Sequence, residues 1–387
     1  MVKAKLDLDE GWLVAIDTAM LAAYAVGQFA SGAIGDRHGA RKLIALGMIG
    51  SALACAAFGL SDLPLVFALL FGLNGLFQSS GWPGTVKAMA EWTAPARRGR
   101  VMGLWATCYQ VGGIAATAVA TFLLAHFGWR AAFLGPALWV ATVGIAVWAL
   151  LRPGPFAERR ASTGVVPTAE DAVARARHVE ARTLARRELL VSRVLWCYGL
   201  CYFCLKLIRY SILSWLAYYF TKALHLDAET SGYLSTSFEI GGFAGTVAMG
   251  WISDKLVHKV TRAACAAVAI VGLAGALLLY SFVGASSLGA NFASMALVGA
   301  LLFAADSLIS GAAAQDAGGA HGAGLAAGVV NGVGSLGAVL QGVVTIWLKN
   351  RLGWSEVFLA FVGVALLGAL ALVPVVRRRA PPAPAAA

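Results

Sequence analysis

The sequence predicts an all-α integral membrane protein built from two similar helix bundles, and three observations carry that prediction. Hydrophobic residues fill 59% of the 387 positions and charged residues 13%, with a mean hydropathy of +0.76. A water-soluble fold has no interior able to hide so much apolar surface, whereas a bilayer requires it on the outside. The apolar residues gather into windows of roughly 20, the length that crosses the hydrocarbon core as a helix. Finally, a phrase is copied: Gly27, Gly32, Gly35 and Asp36 recur at the same spacing as Gly245, Gly250, Ser253 and Asp254, each aspartate followed by a cation, Arg37 or Lys255. Such copies mark a chain made of two related membrane halves.

Eleven spans are expected, near 12–34, 43–60, 64–86, 101–126, 130–151, 195–220, 230–252, 263–283, 287–311, 322–347 and 353–376. Five belong to a first bundle, 1–151, and six to a second, 195–376, with a linker at 152–194 and a tail at 377–387. The 45 glycines suit helices that pack closely through small residues. Met1 to Glu10 is polar and mixed in charge and precedes a long apolar run, so no cleavable signal peptide is expected. Matching the two copies of the phrase leaves the segment Leu195 to Phe220 without a counterpart. The first half is expected to lack its first helix, either by design or because the start of translation lies further upstream.

Charge orients the spans. Alternate connections are basic, through Arg37, Arg41 and Lys42, through Arg97, Arg98 and Arg100, and through Lys255, Lys259 and Arg262, and the tail carries Arg377, Arg378 and Arg379. The positive-inside rule places these and the linker in the cytoplasm, and the net charge of +11 is thereby topogenic and not a sign of nucleic-acid binding. Lys349 and Arg351 run against the pattern. The linker begins Pro153, Gly154, Pro155 and continues as an alanine-rich stretch with many arginines and glutamates, which reads as a solvated cytoplasmic helix.

No metal or cofactor site is expected. Cys197, Cys201 and Cys204 have the spacing of a cluster-binding loop, but they fall inside an apolar span, where they read as small packing residues. The six histidines are scattered over the connections. No nucleophile or phosphate-cradling loop stands out, so an enzyme is not expected.

Gly32, Gly35, Asp36, Arg37, Gly39, Arg41 and Lys42 form the loop pattern of the major facilitator superfamily, a tight turn whose aspartate binds a helix terminus in one conformation and releases it in another. Further along come Asn74, Gln78, Gly81, Trp82, Pro83 and Gly84, then Trp92, Arg97, Arg98 and Gly99, then Trp105, Val111, Gly112 and Gly113. With Arg209, Tyr210, Leu213, Trp215 and Tyr218, with Phe238, Glu239 and Gly241, and with Asn331, Gly332, Gly334, Ser335, Gly337 and Ala338, the chain resembles the organophosphate:phosphate antiporter family from about Trp12 onward.

The resemblance implies the major facilitator fold, twelve helices in the family and eleven here, exchanging a phosphorylated metabolite or inorganic phosphate by rocking two halves about a central site. It implies that two arginines, in the first and seventh helices, clamp the phosphate. Arg209 falls on the second of these, and the first has no counterpart here. A second-helix lysine falls on Gln28, a fifth-helix histidine on Tyr109, and an acidic residue five places after the seventh-helix arginine on Ser214. Lys206 matches a lysine of the animal sugar-phosphate exchangers.

The residues point to an anion site on their own terms. Lys206 and Arg209, three apart on a helix, share one face. Two cations in mid-membrane cost on the order of several kcal/mol unless they meet water, an anion or a carboxylate. A phosphate dianion satisfies both, Arg209 with a forked hydrogen bond and Lys206 as a point charge. Tyr24, Gln28, Gln78, Trp82, Tyr109 and Tyr210 offer hydroxyl, amide and ring contacts for an organic moiety, or else they pack. The competing reading pairs Lys206 and Arg209 with Glu239 or Asp306 to lock helices together. Of the buried acids Asp17, Glu239 and Asp306, any could instead carry a proton.

The expectation is a secondary transporter of a phosphorylated metabolite or phosphate, working by alternating access and exchange. It is expected as a monomer in a bacterial inner membrane, its C-terminus in the cytoplasm, taking a small anion and no nucleic acid. Asp36, Arg37, Asp254, Glu239 and Asp306 are the gating or charge-pairing candidates. A proton-coupled carrier of a non-phosphorylated organic anion and a transporter-like membrane sensor stand as alternatives.

Overall fold

The computed structural model describes residues 9–92, 107–155, 191–256 and 260–376, less some side chains inside helices, among them those of Gln28, Asp36, Arg37 and Asp254. The loop with Arg97, Arg98 and Gly99, most of the expected linker and the basic tail lie outside the described residues. Among those described, every regular element is helical. They group into two compact units, one within Met1–Val165 and Leu226–Tyr233, the other within Val166–His225 and Leu234–Ala387.

The first unit holds α1 (Glu10–His38), α2 (Ala40–Leu60), α3 (Pro64–Gln78), α4 (Gly81–Trp92), α5 (Cys108–Phe127) and α6 (Ala131–Leu150). The second holds α7 (Arg193–Ala223), most of α8 (Ala228–Leu256), α9 (Arg262–Val283), α10 (Leu288–Ser307), a π-helical turn at Leu308–Ala313, α11 (Ala314–Leu352) and α12 (Trp354–Val376). Among the described residues eight helices are long and apolar enough to cross a membrane. Two more expected spans are α1 and α8, each 29 residues, and Val111–Phe127 is a shorter apolar helix. Leu53, Leu138, Trp139, Trp251 and Phe282 stand exposed on these helices, as side chains facing hydrocarbon do.

Helix ends follow local chemistry. Asp9 Oδ1 accepts from Trp12 N at 2.8 Å, Thr261 Oγ1 from Ala264 N and Ser287 Oγ from Ala290 N, each satisfying an amide that the first turn leaves without a partner. Asp227 accepts from Thr230 N at 2.9 Å, and Thr230's side chain and amide together hold the Asp227 carboxyl below its usual range. The span expected at 64–86 is one candidate crossing over Pro64–Met89, with a kink in its helical ladder at Ser79 and Ser80. Pro83 lacks an amide and its ring would strike the carbonyl four residues back, so the chain turns there and the two serine hydroxyls bond Leu76 O and Phe77 O.

Two connections depart from expectation. The loop motif is not a loop: α1 runs on through Gly32, Gly35 and Asp36 to His38, and the turn is one residue, Gly39, at φ 84°. The break expected between 311 and 322 is also absent, since the π-helical turn passes directly into α11. The many alanines there sustain helix where the glycines and polar residues suggested a loop.

The first glycine of the copied phrase has a packing explanation. A Cβ on Gly27 would overlap Ser79 of α3, and one on Gly245 would overlap the carbonyl oxygen of Ala300 on α10. The same pairings recur from the other side: a Cβ on Gly75 would overlap the carbonyl of Met20, and one on Gly299 that of Phe238. Met20 and Phe238 stand at the interval that separates Gly27 from Gly245. In each unit the helix bearing the phrase touches a later helix backbone to backbone.

A second repeat emerges from the structure. Gly128 (φ 84°), the first of three residues between α5 and α6, and Gly353 (φ 103°), the single residue between α11 and α12, both turn the chain with ψ near 180°, a region open essentially to glycine alone. Each is followed by a tryptophan and, four residues later, a phenylalanine: Trp129 and Phe133, Trp354 and Phe358. In the first unit Trp129 meets Phe67 at 6.2 Å and Phe133 meets Phe58 at 4.5 Å. In the second, Trp354 meets Tyr219 at 5.4 Å and Phe358 meets Tyr280 at 4.8 Å. Gly128→Ala and Gly353→Ala should each cost about 1–3 kcal/mol, read as a lower thermal midpoint in detergent. Gly275→Ala, where a Cβ meets nothing within 4 Å, should leave that midpoint unchanged or raise it.

Candidate functional site

α7 packs along α11 in step. Gly199 lies against Val333, a Cβ on Gly337 would overlap the carbonyl of Phe203, and Thr345 Oγ1 donates to Ser211 Oγ at 2.8 Å. The small residues let the two helices approach closely, and Lys206 is caught between them. Its Nζ donates to Asn331 Oδ1 at 2.8 Å and Ser335 Oγ at 3.2 Å and sits 5.1 Å from the ring of Tyr202. The residue is 7% exposed. Its hydrogen-bond partners are neutral and one turn apart on α11, and Asp306 acts on it at Coulomb range without bonding it.

One turn along α7, Arg209 turns to α10. Its Nη1 lies 3.3 Å from Asp306 Oδ2, and its guanidinium lies 4.4 Å from the Phe303 ring and 5.7 Å from that of Tyr210. Ring stacking of a desolvated guanidinium is worth about 2 kcal/mol and uses its face, which leaves hydrogen bonding to its edges. Arg209 Nε and Asp306 Oδ1 are buried with no hydrogen-bond partner among the described residues. The second unit thus brings Lys206, Arg209, Tyr210 and Asp306 together. Of the two acids weighed against the cations, it is Asp306 that pairs with Arg209; Glu239 lies half-buried on α8.

The first unit gathers a different set. Gln78 Nε2 donates to Asn74 Oδ1 at 3.2 Å, and Ser51 Oγ donates to the same oxygen at 2.5 Å, fixing the amide at the end of α3. Trp82, one turn later on α4, meets Tyr109 of α5 with ring centroids 5.5 Å apart. Both rings are partly exposed, at 38% and 47%. Tyr24 is half-buried on α1. The side chains of Gln28, Asp36, Arg37 and Asp254 lie outside the described residues, although their helices are in place.

Sequence reasoning quoted Asn331 and Ser335 as motif letters and passed over Phe303. The signal for the first two was their spacing, four apart on an otherwise small and apolar stretch, which puts two polar groups on one helix face. Phe303 carried no signal, because nothing separates a stacking phenylalanine from a packing one before the cation opposite is known. Cys197, Cys201 and Cys204 lie along α7, with Cys201 and Cys204 buried, and no set of three metal-ligating side chains converges among the described residues.

The Major Facilitator Superfamily model matches residues 6–342. A putative glycerol-3-phosphate transporter 2 of Arabidopsis thaliana is 33% identical over 93% of this chain and 76% of its own length. The glucose-6-phosphate exchanger SLC37A1 of Mus musculus is 30% identical over 89% and 74%, and the membrane sensor protein UhpC of Salmonella typhimurium is 31% identical over 97% and 86%. A solved bacterial homologue of the human lysosomal transporter Spinster, inward-facing and unoccupied, superimposes with a TM-score of 0.78 at 16% identity, over 97% of this chain and 91% of that one. From the family match and these relatives, the chain belongs to the Major Facilitator Superfamily and, within it, to the organophosphate:phosphate antiporter family.

Proposed function

We propose that the protein is a secondary transporter that moves a phosphorylated metabolite of the glycerol-3-phosphate or sugar-phosphate type across a membrane, in exchange for inorganic phosphate. The observation that carries this reading is the pair Lys206 and Arg209, one turn apart on a membrane helix, the first buried and held by neutral groups, the second half-buried and held by a single long contact. A dianionic phosphoryl group has the charge and the oxygens to engage both. The names of the Arabidopsis and mouse relatives support the same substrate class. In this reading Gln78, Trp82, Tyr109, Tyr24, Gln28 and Tyr210 meet the organic moiety, while Asp36, Arg37, Asp254 and Glu239 work in gating. The first bundle is assigned 1–151, the linker 152–194 and the second bundle 195–376. The basic connections put the C-terminus in the cytoplasm of a bacterial inner membrane, and the protein acts as a monomer on a small anion, without cofactor or nucleic acid.

The test is uptake of labelled phosphate into proteoliposomes preloaded with phosphate, followed by competition with a panel of phosphorylated metabolites. Exchange that those metabolites inhibit, and non-phosphorylated organic anions do not, is the expected result. Uptake that follows an imposed proton gradient and ignores internal phosphate would favour a proton-coupled carrier instead. One further reading has an observation behind it, the 31% identity to a membrane sensor. Saturable binding of a phosphorylated ligand with no flux would favour that role.

A further inference from the structure

We infer that Asp306 is an internal competitor for the substrate: its carboxylate occupies Arg209 when no phosphoryl group is bound and yields the guanidinium when one arrives. The inference rests on the phosphate-exchange reading above and adds to it a residue that sets affinity. A structural arginine–carboxylate pair closes as a fork, with two parallel hydrogen bonds of about 2.7–2.9 Å. Here there is one contact, 3.3 Å long, and each partner keeps a buried polar atom unused, Nε on Arg209 and Oδ1 on Asp306. A half-made pair between a buried carboxylate and a half-buried guanidinium is costly to keep and cheap to exchange, because the Coulomb attraction is retained while the hydrogen-bonding capacity is not filled.

The surroundings favour replacement by a larger anion. α10 holds the guanidinium by its face, through Phe303 at 4.4 Å, and by one edge, through Asp306 one turn later on the same side of the helix. The face contact survives when the edge contact is exchanged. Lys206, one turn away on α7, is bound by Asn331 and Ser335 and has no carboxylate of its own. The three charged groups Lys206, Arg209 and Asp306 therefore sum to one positive charge. A phosphoryl dianion has the oxygens to bond both cations, whereas the carboxylate of Asp306 bonds Arg209 and acts on Lys206 only at Coulomb range. The helix widens immediately after Asp306 into the π-helical turn, where Ser310 Oγ bonds the Asp306 carbonyl at 2.8 Å. Such turns depart from the regular ladder and are frequent at functional sites, and this one lets the carboxylate withdraw without unwinding α10.

The experiment measures equilibrium binding of labelled inorganic phosphate to purified wild type, Asp306→Asn and Asp306→Glu, with thermal midpoints recorded in parallel. Asp306→Asn removes the competing charge and keeps the shape, so its Kd for phosphate should fall about tenfold. Asp306→Glu keeps the charge with a longer reach able to close the fork, so its Kd should rise. A Kd unchanged or raised in Asp306→Asn, in a protein whose wild type binds phosphate, would overturn the competition and leave Asp306 a helix-locking partner, as would a shift confined to the thermal midpoint. If Asp306→Asn does not fold, Asp306→Glu decides, and a Kd equal to that of wild type overturns the inference. Absence of phosphate binding by all three, with no exchange in proteoliposomes, would instead sink the phosphate reading itself.

Discussion

Replacement of Arg209 by lysine is expected to lower phosphate exchange at least roughly 100-fold while the protein still inserts and folds. Lysine keeps the charge, so the attraction to Asp306 survives and no buried carboxylate is stranded. What it loses is the planar fork and the stacking on Phe303. Two charge-assisted hydrogen bonds, each worth roughly 1.5–3 kcal/mol, cannot be reproduced by a single ammonium aimed at one oxygen. Arg209→Ala is the weaker experiment, since removing one member of a buried pair destabilises by about 3–5 kcal/mol and confounds binding with folding. Exchange by Arg209→Lys within threefold of wild type, at matched reconstitution, would remove Arg209 from the phosphate site.

The second large effect concerns folding. Gly245→Val and Gly299→Val should each prevent accumulation of folded protein, because the added side chain meets a carbonyl of the neighbouring helix and not the flexible end of a side chain. Overpacking that side chains can relieve costs about 1–3 kcal/mol; here the obstruction is backbone, and relief requires the two helices to part. Gly250→Ala, within the same copied phrase, meets no described atom within 4 Å and should be tolerated. Size-exclusion profiles of detergent extracts distinguish the outcomes. A monodisperse Gly245→Val would show that α8 and α10 are not held at this spacing.

These two results bear on what the sequence disclosed. The copied phrase announced two related halves, and the contacts of Gly27 and Gly245 give a packing reason for its first glycine. The partner glycines, Gly75 and Gly299, were invisible as a pair, since their kinship lies in what they touch and not in a shared motif. The spans were legible because hydropathy acts over a whole helix. Their ends were not: a one-residue turn at Gly39 and continuous helix through 312–321 depend on single backbone conformations. In the site, Lys206 and Arg209 announced themselves by their cost in a membrane. That Arg209 chooses Asp306 on α10, and Lys206 chooses Asn331 and Ser335 on α11, depends on which helices face α7, a tertiary fact beyond any local pattern.

The close contact of α8 with α10 has a mechanical side. Two helices touching through their carbonyls cannot slide past one another, so any shift of α10 near Asp306 is also a shift of α8. From the contact at Gly245 to Asp254 is about 14 Å of helix at 1.5 Å per residue, so a tilt of roughly 5° at the contact would move the far end by about 1 Å. The second aspartate of the copied phrase stands at the end of that arm, so under the gating role proposed above a shift of α10 beside Arg209 would be carried along α8 toward it.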